Sequence, residues 1–260
     1  MRILIVGGLG ITQGTAARSA GHAVEDAPSI TPSPFQKYAS PGTRVDSANP
    51  NPAWYTTGEV EATKNGGDRY LRWWMPIPAI VRTCVWAERN GYDAIIQTNN
   101  FEHGVEASRI AVRIPVLGLA RTTMHLAANI ADRVGVTVPL DGYFVLARRL
   151  LQGYGLMDFV SGMRSLGFEE VPPADQVERL RPIMFERTVE IMREMVKDGA
   201  ECIVPLGGAV VPSILDPVDL EREVGAPVLN PRQVGVRTAE MYVSLGLTQS
   251  EITYGHAKLL

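Results

Sequence analysis

Residues 91–127 carry the pattern that decides the fold, and they read GYDAIIQTNNFEHGVEASRIAVRIPVLGLARTTMHLA. The short apolar run 93–96 ends in polar residues, which is typical of a buried parallel strand at its carboxyl end. A polar loop, 98–104, follows it, then a helical pattern over 105–112 and a second apolar run over 114–119. This order predicts a parallel α/β sheet. Because ligands of open α/β sheets bind at the carboxyl ends of the strands, the loop is the first candidate site.

The second half of the chain repeats this order of elements. The first half has GYDAII followed by IPVLG, with Asp93 and Pro115, and the second has GAECIV followed by APVLN, with Glu201 and Pro227. A helical pattern follows each pair of strands. The repeat therefore predicts an α/β fold with two pseudo-symmetric, Rossmann-like lobes and mainly parallel sheets. Clefts between lobes are common ligand sites, so we expect the active site there.

Hydrophobic patterns and breaker residues place the other elements and the lobe boundaries. Strands are predicted over 2–6, 42–46, 133–138, 159–166, 202–206 and 227–230, and helices over 68–90 and 180–198, with a further helix that ends at 154. A proline, Pro76, interrupts the first of these helices. Prolines and asparagines in 47–52 predict a loop after the second strand. We assign residues 1–127 and 231–260 to the first lobe and 128–230 to the second.

Length and composition bound the class of protein. The 260 residues suffice for one large α/β domain or two smaller ones, and the net charge of −3 gives no basic surface for a nucleic-acid partner. No apolar run reaches the roughly 18 residues of a membrane span, and the apolar stretch 3–6 lacks a signal-peptide cleavage pattern. The two cysteines, Cys84 and Cys202, lie far apart and indicate no disulfide framework. We therefore expect a cytoplasmic protein without nucleic-acid or membrane partners.

The sequence indicates no metal and no cofactor, and the expected partners are a small-molecule substrate and further copies of the chain. No set of His, Cys, Asp and Glu residues has metal-ligand spacing. The turn 7–10, Gly-Gly-Leu-Gly, differs from the GxGxxG pattern of dinucleotide-binding proteins. A homo-oligomer is expected from the tryptophan-bearing helix 68–90 and the long loop before it, because aromatic side chains are enriched at subunit interfaces.

The order of a DAI-type strand, a polar site loop, an IPV strand and a helix with MHLA resembles the Asp/Glu/hydantoin racemase superfamily over most of the chain. The resemblance implies a cofactor-independent, isomerase-like enzyme that acts on a small carboxylate or a cyclic amide such as a hydantoin. Each of the two site loops in that superfamily supplies a cysteine, and the matching positions here hold Asn99 and Gly208. The resemblance therefore implies the fold without the two-thiol mechanism. A lyase or hydrolase acting on a related substrate, or a small-ligand-binding protein without catalysis, stays open.

Another acid–base pair is needed in place of the two thiols. Glu102 and His103 are adjacent in the site loop, and a carboxylate beside an imidazole can transfer protons near neutral pH. We predict that these two residues are catalytic. The alternative is that the two side chains point apart and that the histidine is a solvated loop residue.

The substrate-binding residues are predicted from three features of the loops. Glycines let the backbone approach a ligand, asparagines donate hydrogen bonds, and threonines near the amino end of a helix help to hold a carboxylate. The predicted substrate-binding residues are Gly7, Gly8, Asn99, Asn100, Thr122, Thr123, Thr137, Gly207, Gly208 and Ala209.

Overall fold

The computed structural model describes residues 1–7, 27–49, 74–98, 101–169 and 171–257. The predictions for Gly8, Asn99 and Asn100 fall outside these residues, as does the predicted helix before Trp74. The chain divides into two compact units, Met1–Gly118 with Gly235–Leu260 and Leu119–Val234. No helix in the described part of the chain is long and apolar enough to cross a bilayer.

The first unit is built on a five-stranded sheet with the order β2-β3-β1-β4-β5. The strands are β1 (Arg2–Val6), β2 (Ser29–Pro32), β3 (Arg44–Asn49), β4 (Ala94–Gln97) and β5 (Val116–Gly118). All pairs are parallel except that of β2 with β3 at the sheet edge. Two helices, α1 (Ile77–Arg89) and α2 (Val105–Ala111), pack on one face through a core that includes Leu4, Ile95 and Ile80. The parallel register aligns the carboxyl ends of β1, β4 and β5.

The second unit is built on a three-stranded parallel sheet with the order β7-β6-β8. Its elements are α3 (Leu119–Ala127), β6 (Val134–Leu140), α4 (Phe144–Gly153), β7 (Val160–Phe168), α5 (Val177–Lys197), β8 (Cys202–Pro205) and α6 (Pro217–Val224). The apolar face of α5 packs on the sheet through Met192, Met195 and Ile203. The last helix, α7 (Pro231–Ser244), begins in this unit, and its later residues belong to the first unit.

A carboxylate makes the same contact at the start of β4 and of β8. Asp93 accepts a hydrogen bond from the backbone N–H of Arg2 at 2.6 Å, where β1 begins. Glu201 accepts from the backbone N–H of Asp132 at 2.8 Å and of Arg133 at 3.2 Å, just before β6. The aspartate and glutamate of the sequence repeat therefore tie equivalent strands together in the two halves.

In each half, the second residue of the strand donates a hydrogen bond to the carbonyl of the proline that follows the next helix. The N–H of Ile95 donates to the carbonyl of Pro115 at 2.9 Å, and the N–H of Ile203 donates to the carbonyl of Pro227 at 2.8 Å. These equivalent hydrogen bonds confirm the prediction of an α/β fold with two repeated halves and mainly parallel sheets.

Two segments differ from the prediction. Residues 47–49, expected to leave the second strand as a loop, extend β3, and Ser29–Pro32 forms an additional edge strand beside them. Residues 47 and 48 pair with β1, and residues 47–49 pair with β2, which outweighs their turn propensity. The run 227–230, expected to be a strand, forms a single bridge at Val228, because α7 begins directly after it.

Candidate functional site

The loop after β4 ends in a backbone conformation that only a few residue types adopt. Gly104 precedes α2 with a φ of 87°, and a Cβ atom at this position would lie 3.3 Å from Ile80 Cγ2. Glu102 has a φ of 58°, in the left-handed region, where a residue other than glycine is strained. Its carbonyl accepts the N–H of Val105 at 3.1 Å, which closes the turn into α2. Strain of this kind at a non-glycine residue marks a candidate functional position.

The carboxylate of Glu102 lies at the end of the neighbouring strand β5. Glu102 is only 4% exposed. A Cβ atom added to Gly118 would lie 2.1 Å from Glu102 Cδ and 2.3 and 2.4 Å from its two carboxylate oxygens. The carboxyl group thus fills the space that a side chain at position 118 would take. This contact requires glycine at 118 and places the carboxylate, buried, at the carboxyl edge of the sheet.

His103 is buried in aromatic surroundings. It is 7% exposed, and its ring meets the ring of Trp74 edge to face at a centroid distance of 5.0 Å and that of Phe101 at 6.4 Å. Burial lowers the pKa of the imidazole from 6.5 to about 4, so His103 is neutral at pH 7. The solvated loop histidine that the sequence left open is therefore not what the structure shows. Glu102 and His103 have different neighbours, Gly118 for the carboxylate and two aromatic rings for the imidazole.

A buried amide beside this loop was missed in the sequence. Gln97, the last residue of β4, is fully buried, and neither its Oε1 nor its Nε2 has a hydrogen-bond partner among the described residues. It pairs in register with Val6 on one side and with Gly118 on the other. A single polar residue at the end of the apolar run Ala94, Ile95, Ile96 was the signal that could have identified it.

Gly7 lies at the carboxyl end of β1, as predicted for a binding residue. Its N–H donates to the carbonyl of Ala48 at 3.3 Å and so belongs to the sheet. A Cβ atom at Gly7 would lie 3.9 Å from Thr98 Oγ1 and 4.0 Å from Asn49 Oδ1. A side chain at position 7 would therefore point towards two polar side chains. A role of Gly7 in binding stays a prediction.

Thr122 and Thr123 were expected to precede a helix, and this expectation is wrong. Both lie inside α3, which begins at Leu119, directly after β5. The hydroxyl of Thr123 donates to the carbonyl of Leu119 at 2.6 Å, and the residue is fully buried. The chain passes from strand to helix without a loop here, so the threonines occupy the second turn rather than the amino end.

Thr137 lies within β6, in the strand that the sequence predicted. Thr137 is 1% exposed, and its hydroxyl has no hydrogen-bond partner in the described part of the chain. It pairs with Pro205, the last residue of β8, and its carbonyl accepts the N–H of Leu206 at 2.8 Å. The hydroxyl therefore sits level with the start of the loop after β8.

Two of the predicted binding residues in that loop use their backbone groups within the loop itself. Gly207 has a φ of 92°, and a Cβ atom there would lie 2.6 Å from Pro139 Cδ, so only glycine fits. The N–H of Ala209 donates to the carbonyl of Gly207 at 2.5 Å. The N–H that Ala209 was expected to offer to a ligand is thus already engaged.

The carbonyl of Gly208 is bound by two side chains that the sequence did not single out. Arg232 Nη2 donates to it at 3.0 Å, and the hydroxyl of Ser213 donates to the same oxygen. Arg232 Nη2 also donates to the Ser213 hydroxyl. Arg232 lies in the first turn of α7, where the side chain of Asn230 accepts its backbone N–H at 3.1 Å. This network fixes the peptide at Gly208.

The strand ends match the two site loops to each other. The N–H of Thr98 donates to the carbonyl of Val6 at 3.1 Å, as that of Leu206 does to Thr137 at 2.8 Å. Thr98 and Leu206 are therefore equivalent positions at the ends of β4 and β8.

Neither cysteine of the chain is available to this chemistry. Cys84 is buried within α1, and burial raises the pKa of its thiol to about 12. Cys202 is the first residue of β8, at the opposite end from the site loop, and burial, with a contribution from Glu201, raises the pKa of its thiol to about 11. Both behave as small buried hydrophobic residues.

Comparison with known proteins agrees with this architecture. Residues 72–239 match the model of the Asp/Glu/Hydantoin racemase family. A hydantoin racemase of Pseudomonas sp. (strain NS671) is 30% identical over 190 residues, which cover 71% of this chain and 72% of that protein. Allantoin racemases from Klebsiella pneumoniae and Pseudomonas fluorescens superpose with a TM-score of 0.72 each, at 21% and 24% identity, covering 100% of this chain and 95% and 98% of theirs. The chain therefore belongs to the Asp/Glu/hydantoin racemase family, and the protein is an enzyme of that superfamily.

Proposed function

We propose that this enzyme moves a proton at a carbon atom next to a carbonyl group, in a small cyclic amide of the hydantoin type or a small carboxylate, without a cofactor. One observation supports the proposal above all. The loop at the end of β4 buries a carboxylate and a neutral imidazole in consecutive residues, Glu102 and His103. A relative named hydantoin racemase is 30% identical to this chain over 190 residues.

Glu102 is the proposed base. Removal of a proton from carbon needs a base held in place and a donor for the oxygen on which negative charge develops. The left-handed backbone of Glu102 and its contact with Gly118 fix the carboxylate at the sheet edge where ligands of α/β proteins bind. A carboxylate held in this way is oriented before the substrate arrives.

His103 is the proposed donor. Since burial keeps the imidazole neutral at pH 7, it can donate a hydrogen bond to an enolate oxygen without being an imidazolium. The rings of Trp74 and Phe101 contact the imidazole edge to face. Asn99 and Asn100 are proposed to add donors from the same loop, as the sequence predicted.

A lyase reaction, such as decarboxylation, is the second candidate, and the loop after β8 favours it. Racemisation requires proton-transfer groups for both faces of the carbon, whereas an elimination or decarboxylation needs one. Within 206–215 the only side chain with a polar group is that of Ser213, which is engaged with Gly208 and Arg232. The loop after β8 therefore contains no titratable side chain that could supply the second proton-transfer group.

Incubation in deuterated water separates these reactions. The purified enzyme is incubated with single enantiomers of hydantoins and amino acids and with maleate and arylmalonates, and NMR follows deuterium at carbon while polarimetry follows the enantiomer. Deuterium entry into the substrate with loss of optical activity supports a racemase. Release of CO₂ together with entry of one deuterium atom into the remaining product supports a lyase.

Variants of the proposed pair complete the test. Glu102→Gln and His103→Ala are expected to lower turnover by at least about a hundredfold, the usual contribution of a general acid or base. Glu178→Gln, which changes a carboxylate with 82% of its side chain exposed on α5, is the matched control. Full activity in both site variants would contradict the proposed roles.

A further inference from the structure

The amide of Gln97 is a buried polar group for which the described part of the chain supplies no partner. Residues Ala94, Ile95 and Ile96 of β4 are apolar and fully buried, and an apolar residue at position 97 would continue the strand. Instead the chain buries an amide, of which both polar atoms lack a hydrogen-bond partner among the residues described. A buried amide without a partner destabilises the folded state. The amide of Gln97 is therefore a candidate functional group.

The register of the sheet shows what lies beside this amide. Gln97 pairs directly with Gly118 in the parallel ladder between β4 and β5. Directly paired residues of parallel strands direct their side chains to the same face. The side-chain space of Gly118 is filled by the carboxyl group of Glu102. The Cβ atom of Gln97 and the carboxylate of Glu102 thus lie on one face of the sheet, about one strand spacing, roughly 5 Å, apart.

This separation lies within the reach of the glutamine side chain. Its amide stands two carbon atoms beyond Cβ, so rotation about the side-chain torsions brings Nε2 to the carboxylate while the backbone of β4 stays in place. The amide can therefore bind Glu102 without any change in the strand pairing.

We propose that Gln97 is a positioning residue for Glu102, to whose carboxylate its Nε2–H donates a hydrogen bond in the folded enzyme in solution, with or without substrate. This inference rests on the proposed function of Glu102 as the base. A hydrogen bond from a neutral amide stabilises the charged form of a carboxylate and fixes its direction. Gln97 itself transfers no proton.

A double-mutant cycle on the full chain tests the contact without relying on turnover. The variants are Gln97→Met, Glu102→Ala and the pair together, and the readout is the thermal unfolding midpoint at pH 7. Gln97→Met is expected to lower the midpoint in the wild-type background, because a bond to a charged group is lost. In the Glu102→Ala background the same change is expected to leave the midpoint unchanged or to raise it, since it then removes an amide without a partner.

Activity gives a second readout that packing alone would not move. For a substrate that is turned over, Gln97→Met is expected to lower kcat at least tenfold with little change in KM, and to shift the acid limb of the pH profile to higher pH. Gln97→Glu is expected to shift that limb further, because two adjacent carboxylates share a proton. Gln152→Met, at an exposed glutamine of α4, is the control.

Equal changes of the midpoint in both backgrounds, together with an unmoved pH profile, would overturn the proposal. Gln97→Leu repeats the cycle if Gln97→Met fails to fold. Should no substrate be turned over, the thermal cycle still decides whether Gln97 and Glu102 interact, so a failure of this inference can be told apart from a failure of the proposed function.

Discussion

Replacing Gly118 by alanine tests the position of Glu102 with a single methyl group. The added Cβ would lie 2.1 Å from Glu102 Cδ, far inside ordinary contact, so the carboxyl group has to retreat by more than about 1 Å. A displacement of this size of a catalytic group costs on the order of a hundredfold in rate. The atoms that must move are the end of a flexible side chain, so we expect a loss of stability of only about 1 kcal/mol, at the low end for overpacking.

The assay compares kcat/KM and the thermal midpoint in the same preparations. For a chain of this size, about 1 kcal/mol corresponds to roughly 2–4 °C in the midpoint. Gly118→Ala in the Glu102→Ala background is expected to have no further effect on activity, because the carboxylate it displaces is gone. Gly153→Ala on α4, where a Cβ meets nothing within 4 Å, is the control. Undiminished activity of Gly118→Ala would refute the idea that Glu102 acts from this position.

Three further predictions follow from the same loop and from the cysteines. The imidazole of His103 binds a proton below pH 6.5 in the unfolded chain and only near pH 4 in the folded one, so the free energy of unfolding falls by up to about 3 kcal/mol as pH falls through this window. Urea unfolding of wild type and His103→Phe between pH 4.5 and 7 checks this. Equal dependence of the unfolding free energy on pH in the two proteins would contradict it. Glu102→Gly is expected to be more stable than Glu102→Ala by about 1 kcal/mol, since glycine adopts a φ of 58° without strain, as urea midpoints will show. Iodoacetamide at pH 7 is expected to leave activity intact, because Cys84 and Cys202 are buried with raised thiol pKa values; rapid inactivation would point to a thiol mechanism.

The sheets were predictable from the sequence because the buried strands are short apolar runs with defined ends. The match between Asp93 and Glu201 also predicted a repeated half, and each carboxylate ties two strands together in the structure. The edge strand Ser29–Pro32 was missed because prolines at 28, 32 and 34 surround its two strand-forming residues, and only pairing with β3 makes it a strand. The sequence also did not reveal that α3 begins directly after β5, because no loop residues separate the two elements.

The sequence predicted which loop holds the candidate site, but it did not predict the geometry of that site. That Glu102 and His103 lie in the loop after a strand could be read from the local pattern. The contact of Glu102 with Gly118 could not, because it depends on a left-handed backbone at one residue and on a glycine sixteen positions away in the chain. The low pKa of His103 likewise arises from burial beside Trp74, which local sequence does not reveal.

The two halves share their strand pairing but differ in the chemistry of their loops. Glu102 and His103 give the first loop two titratable groups, whereas the second presents glycines, with the Gly208 carbonyl held by Arg232 and Ser213. A proton-transfer group that acts from one side returns deuterium to the face from which it removed the proton. Exchange then runs ahead of the loss of optical activity, whereas two opposed groups would link each exchange to an inversion. The ratio of these two rates therefore measures whether the repeated fold still performs a symmetrical reaction.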